Sequence, residues 1–237
     1  MPTATQWTKS IREHLGAKAS AEHAAGVQWF FKYEVSSHGW YTAPLRKFSL
    51  LTRKEILQEG GESLLMDVAE KMFAGQFLEE HNVGVYLLEP SAENYGKKEL
   101  LRLQTWFPRI LSWADHDALV YGVISAIILN HPELIPNVFR WAKMNDRWHK
   151  RAACVALIRG TRVMLFRKEI ERLTKILLND PDDMVQKGLG WLLRETAKAD
   201  PTGTVPFLMS IRAIAPRLVL RTACETLPKA TCRKVLG

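Results

Sequence analysis

RAACVAL (residues 151–157), KGLGWLL (187–193) and RTACETL (221–227) are three variants of one seven-residue theme, set 36 and 34 residues apart. Each opens on a base, runs through small residues and closes on leucine. Asp146 precedes the first copy by five positions, and Asp182 precedes the second by the same distance. A period of this length built from helix pairs marks an α-solenoid of the HEAT type, in which each repeat packs on its neighbours. The expected fold is therefore all-α: one domain over residues 1–237, an α-solenoid of HEAT-like helical repeats with a concave basic face.

The rest of the chain agrees. Strand-like alternation bounded by turn residues is nearly absent. Helices are expected at roughly 4–16, 21–34, 43–58, 63–74, 77–88, 97–111, 113–130, 132–143, 146–159, 165–178, 182–198, 201–212 and 216–227, with breaks at Gly60-Gly61, Pro90, His131-Pro132, Asp180-Pro181, Asp200-Pro201 and Pro216. At 237 residues, 47% of them hydrophobic, the chain is long enough for a sizeable core. Its longest apolar run, Val123 to Leu129, is too short to cross a bilayer and is broken by Ser125. The first residues lack the apolar core of a secretory signal. Three cysteines, Cys154, Cys224 and Cys232, form no CxxC and cannot all pair, so a reducing, cytoplasmic setting is expected.

Charge is unevenly distributed. The net charge is +8, but residues 1–139 carry −3 and residues 140–237 carry +11. A basic half points to an anionic partner, with nucleic acid the first candidate and a merely solvated basic surface the alternative. The repeat says where the bases go. At about 100° per residue, Arg147 and Arg151 fall on one side of their helix, flanked by Trp148 and Arg159, with Ala153, Ala156 and Leu157 opposite. Arg217 and Arg221 take the same places in the last copy, and Lys187 takes that of Arg151 in the middle one. Val185, Leu189, Leu192 and Thr196 form that helix's buried stripe, leaving Trp191 beside Lys187, Arg194 and Lys198. Arg147, Arg151, Lys187, Arg194, Arg217 and Arg221 are thus expected on a common surface that could follow a phosphate backbone. Trp191 can meet a base or sugar face there, or can be a packing residue with an exposed edge.

SWADHD (112–117) is the other concentration of chemistry. Ser112 reads as an N-cap, with Asp115 completing a capping box and complementing the helix dipole. His116 has no partner at metal-ligand spacing and reads as a half-exposed histidine; nothing approaches HExxH or a Cys/His cluster. Asp117 stands one helical turn after Trp113, on the same face. The pair could cradle a positive charge, or Asp117 could be a second dipole-complementing acid beside a core tryptophan.

SWADHDAL (112–119), HPELIPNVFRWAKMNDRWHKRAACVALI (131–158) and VQKGLGWLLRETAKADP (185–201) resemble, in order and spacing, the AlkD-like alkylpurine DNA glycosylases, a family built from HEAT-like repeats. The resemblance is clear from about residue 100 onward. It implies an enzyme that removes cationic N3-methyladenine and N7-methylguanine from double-stranded DNA and leaves the base stacked. The family's catalytic aspartate corresponds to Asp117, its two active-site tryptophans to Trp113 and Trp191, and its main DNA-contacting arginine to Arg151. Arg147, Trp148, Lys187, Arg194, Arg217 and Arg221 extend the expected DNA contact. No metal or cofactor is implied, and one concave solenoid needs no second copy, so a monomer without membrane attachment is expected. The chain departs from the family at Ala114, where an aspartate is usual. The family's N-terminal DNA-touching aromatic has no single counterpart, with Trp29, Phe30 and Tyr33 all candidates, and SSHGWYTAPLRKF (36–48) resembles its glycine–proline–arginine stretch with irregular spacing. Relatives lacking the catalytic residues bind DNA without excising bases, so a non-catalytic reader of damaged or branched DNA is the alternative. A protein-interaction solenoid, the commonest use of such repeats, is the third reading.

Overall fold

Two glycines in KGLGWLL show how the repeats meet. Glycine in a helix interior costs about 1 kcal/mol relative to alanine, yet Gly188 and Gly190 both lie inside one helix. They are two residues apart, about 200° around the axis, and so face opposite ways. A Cβ on Gly188 would sit 3.1 Å from Arg151 Cγ, and one on Gly190 would sit 2.6 Å from Thr222 Cβ. The middle copy is therefore clasped on one side by the first copy and on the other by the last.

The computed structural model describes residues 2–237, and among them there is no strand. The chain forms two compact units, the first ending at Val123 and the second spanning Ile124–Gly237. The division falls in a π-helical turn, Val120–Ile124.

The first unit contains α1 (Ala4–Ala17), α2 (Ala21–Gln28), α3 (Thr42–Phe73), α4 (Leu78–Leu88), α5 (Lys97–Leu103) and α6 (Trp113–Leu119). Helix α3 packs on α1 and α4, and α4 packs on α6. Gly61 breaks α3 with φ +64°, the interruption expected at Gly60-Gly61. Helix α2 stops at Gln28, short of the expected 34. Beyond it the chain is irregular, because side chains replace the helical ladder. Gln28 Nε2 donates to the Tyr33 carbonyl at 2.8 Å, and its Oε1 accepts from Val35 N–H at 3.0 Å. Glu79, 3% exposed, then gathers the next turn, accepting from Ser37 Oγ (2.6 Å) and from the N–H groups of His38 (2.8 Å), Gly39 (3.0 Å) and Trp40 (3.1 Å). Gly39 is required there: φ is +77°, and a Cβ would lie 2.0 Å from the Ser20 carbonyl oxygen. The helix expected over 97–111 ends at Leu103 and passes into a 3-10 stretch, Gln104–Arg109, in which Pro108 cannot donate.

The second unit contains α7 (Ser125–Asn130), α8 (Ile135–Trp141), α9 (Arg147–Val155), α10 (Ile158–Thr161), α11 (Arg167–Leu177), α12 (Asp183–Ala199), α13 (Pro201–Ile211), α14 (Arg217–Cys224) and α15 (Lys229–Leu236). The three sequence copies are α9, α12 and α14, and they pack in that order, α9 on α12 and α12 on α14. This is a helical-repeat solenoid. The repeated aspartates are its caps: Asp146 accepts from Trp148 and His149 N–H at 3.1 Å, and Asp182 accepts from Met184 N–H at 2.8 Å. Pro216 holds the equivalent place before α14. The expected stripe is buried, with Val185, Leu189 and Leu192 inaccessible and Thr196 6% exposed. Each such leucine contributes about 1.5–3 kcal/mol. Helix α15 was not among the expected helices; Pro228 starts it.

Candidate active site

In the first unit the chemistry gathers on α6. Ser112 caps it, its Oγ accepting from Ala114 N–H at 3.2 Å, and the capping box is complete. The cap forms without an aspartate at 114 because Asp115 does that work. Asp115 Oδ1 accepts from Ser112 N–H and Ser112 Oγ, each at 2.7 Å, and Oδ2 accepts from Leu111 N–H at 2.9 Å and His81 Nδ1 at 2.8 Å. Both Asp115 and His81 are fully buried. The other nitrogen of His81 faces the Gly75 carbonyl at 3.2 Å, so the ring satisfies both partners only by donating from each side. This pair ties α4 to the start of α6 and fixes where Trp113 and Asp117 project.

Asp117, two residues on, is placed differently. Its side chain remains 17% exposed, and His116 Nδ1 lies 2.7 Å from its Oδ1. His116 is a correction to the expected half-exposed histidine: its side chain is fully buried, with the ring 6.4 Å from that of Phe107. Trp113 is half-buried on the Asp117 face of the helix, one turn earlier. Its ring meets Phe31 at 5.6 Å between centroids. Sequence reasoning missed Phe31. Trp29, Phe30 and Tyr33 are instead exposed, at 91%, 74% and 39%. Only the end of α2 at Gln28 turns position 31 toward Trp113. Ala114 lines a separate cavity of about 410 Å³ with Trp40, Tyr41, Asn82 and Tyr86.

In the second unit the expected bases occupy the repeat helices but not equally. Arg147 is 46% exposed and paired with Asp182 at 2.7 Å. Lys187 pairs with Asp183 at 3.0 Å, and Arg194 with Glu225 at 2.5 Å and Glu195 at 3.2 Å. The guanidinium of Arg217 donates to the Leu236 carbonyl. Arg221 is exposed and has no carboxylate partner among the described residues. Trp148 and Trp191 are half-buried. Arg151 departs from the expectation of a surface cation. It is only 6% exposed, lies over Gly188 and donates from Nη1 to the Met184 carbonyl at 2.7 Å. The backbone gap left by Gly188 draws it inward. Lys187 and Arg221 do converge, on a groove of about 840 Å³ between α14 and α15, together with Lys229 and Arg233. Those last two were missed because they lie beyond the third copy of the repeat.

Burial pushes the Cys154 and Cys224 thiols up to about 12. They stand at the same place in their copies, fourth in RAAC and RTAC. Among the described residues no cluster of His, Cys, Asp or Glu could hold a metal ion, and no single helix is long and apolar enough to cross a membrane.

The second unit is a helical-repeat solenoid whose helices carry many basic side chains, a class of protein suited to an anionic partner. Residues 11–227 match the family described as DNA alkylation repair enzyme, and the chain belongs to that family. Its role is accordingly in the repair of alkylation damage, with DNA as the substrate. Among solved structures it is similar to a predicted DNA alkylation repair enzyme from Enterococcus faecalis, at TM-score 0.79 and 17% identity, covering 89% of this chain and 97% of the other. No curated protein sequence matches.

Proposed function

We propose that the chain is a monofunctional alkylpurine DNA glycosylase that acts as a monomer on duplex DNA, excising purines made cationic by methylation at N3 or N7. The observation that carries this is the contrast between two acids on one short helix. Asp115 is fully buried and held by its cap and His81, while the Asp117 side chain, one turn after Trp113, stays 17% exposed. A carboxylate that reaches solvent one turn from an indole can meet a cationic nucleotide.

In the reaction, water oxygen bonds to the sugar C1′ as the N-glycosidic bond breaks. The bonding pair leaves with the base, neutralising its charge, and the water proton passes to the carboxylate or to solvent. The sugar is oxocarbenium-like at the summit of the barrier, and the Asp117 carboxylate opposes that charge as in glycoside hydrolysis. At ~4 Å and an effective dielectric of ~20, the attraction is about 4 kcal/mol, or about a thousandfold in rate. The face of Trp113, backed by Phe31, holds the cationic nucleotide by cation–π contact, and Trp191 is assigned the same task. Arg147, Trp148, Lys187, Arg194, Arg217 and Arg221 grip the backbone, while the inward-turned Arg151 braces the helix that carries Lys187.

Incubating purified protein with methylated duplex and separating the released bases tests the reading. Wild type releases N7-methylguanine. Asp117→Asn loses about a thousandfold or more in rate while retaining duplex affinity. A wild-type rate in that variant removes the assigned role. Binding without release by the wild type would mark a non-catalytic DNA reader.

A further inference from the structure

We propose that His116 is a positioning residue for Asp117, holding the carboxylate in the orientation the reaction needs. The inference rests on Asp117 being the reacting acid. An ionised carboxylate only accepts hydrogen bonds, so at 2.7 Å the proton lies on His116 Nδ1 and is donated to Oδ1. The ring is fully buried, which holds its donor in place, whereas the Asp117 side chain is 17% exposed. Tying one carboxylate oxygen to an immobile donor fixes the plane of the group and hence where the second oxygen points. A half-open acid placed against a passing charge loses much of its effect when its orientation is averaged.

A buried histidine could instead only fill space, and the two roles separate by substitution. His116→Leu fills the site without a donor. His116→Asn places an amide N–H close to the position of Nδ1. Single-turnover excision of N7-methylguanine should fall about 10- to 100-fold in His116→Leu, the worth of one hydrogen bond to a charged group. Duplex Kd should stay within about twofold, and His116→Asn should recover most of the loss. Equal rates in the two variants, or a wild-type rate in His116→Leu while Asp117→Asn is inactive, overturn the positioning role and leave Asp117 as the reacting acid. A wild-type rate in Asp117→Asn overturns both. A readout independent of turnover is the ¹⁵N spectrum of histidine-labelled protein. It should show His116 protonated at Nδ1, with that resonance shifted in Asp117→Asn. A neutral ring bearing its proton on Nε2 alone would also overturn the assignment.

Discussion

Helix α6 and the helices α9, α12 and α14 solve opposite problems with charge. On α6, Asp115 and Trp113 meet partners distant in sequence: His81 on α4 reaches Asp115, and Phe31 from the irregular stretch after α2 reaches Trp113. On the repeat helices, bases are placed by periodicity, and acids then restrain them, from the next repeat as with Asp182 on Arg147 or from one turn before as with Asp183 on Lys187. The lesson is that formal charge overstates the basic half. A cation already paired gives up one partner to take a phosphate, whereas Arg221 gives up none.

The sharpest way to break this comparison is to remove the two acids of α6 separately. Asp115→Ala leaves the buried His81 and the cap donors without an acceptor. It should cost about 3–5 kcal/mol of stability, or about 10 °C in a thermal melt. Asp117→Asn should leave the melting temperature nearly unchanged and remove excision instead. If both variants melt alike, the division of labour between the two acids is wrong.

The next effect concerns how the repeats touch. Gly190→Ala brings a methyl to 2.6 Å from Thr222 Cβ, and Gly188→Ala brings one to 3.1 Å from the more flexible Arg151 Cγ. Overpacking costs about 1–3 kcal/mol, partly offset by alanine's helix preference of about 1 kcal/mol. Urea unfolding should show Gly190→Ala to be the more destabilised, because the flexible Arg151 side chain can give way where Thr222 cannot.

Salt titration sharpens the contrast between paired and unpaired bases. Arg221→Ala should lower the slope of log K against log salt by about 1. Arg147→Ala should lower it less, because Asp182 already neutralises that guanidinium. Equal changes would mean that the pairing in the free protein is too weak to matter.

The smallest effect is chemical. Burial holds Cys154 and Cys224 near 12. A raised thiol pKa leaves the nucleophilic thiolate scarce at pH 8, so both should resist a thiol reagent until the protein unfolds. The half-buried Cys232 should react in the native state, giving one fast thiol in a timed assay.

Much of this molecule is legible because helices turn local spacing into direction. The capping box at Ser112, the caps at Asp146 and Asp182, the break at Gly61 and the stripe Val185–Leu189–Leu192–Thr196 all follow from residues within a few positions of one another. The same regularity set Trp113 and Asp117 on one face and placed the bases on α9, α12 and α14. What misled was where a side chain's surroundings come from elsewhere in the chain. His116 reads as half-exposed on its own helix, yet it is buried beside Phe107 from the 3-10 stretch before α6. Arg151 reads as a surface cation, yet it turns down onto a glycine of the next repeat, 37 positions away.

The sequence by itself determined the all-helical repeat, its caps and its buried stripes, because those depend on backbone hydrogen bonding and a period of about 3.6 residues. Only the tertiary structure decided which of two neighbouring aspartates is spent on the fold, which aromatic meets Trp113, and which cations are already paired. Those outcomes turn on desolvation and on hydrogen-bond donors supplied by distant segments, and no local pattern encodes them.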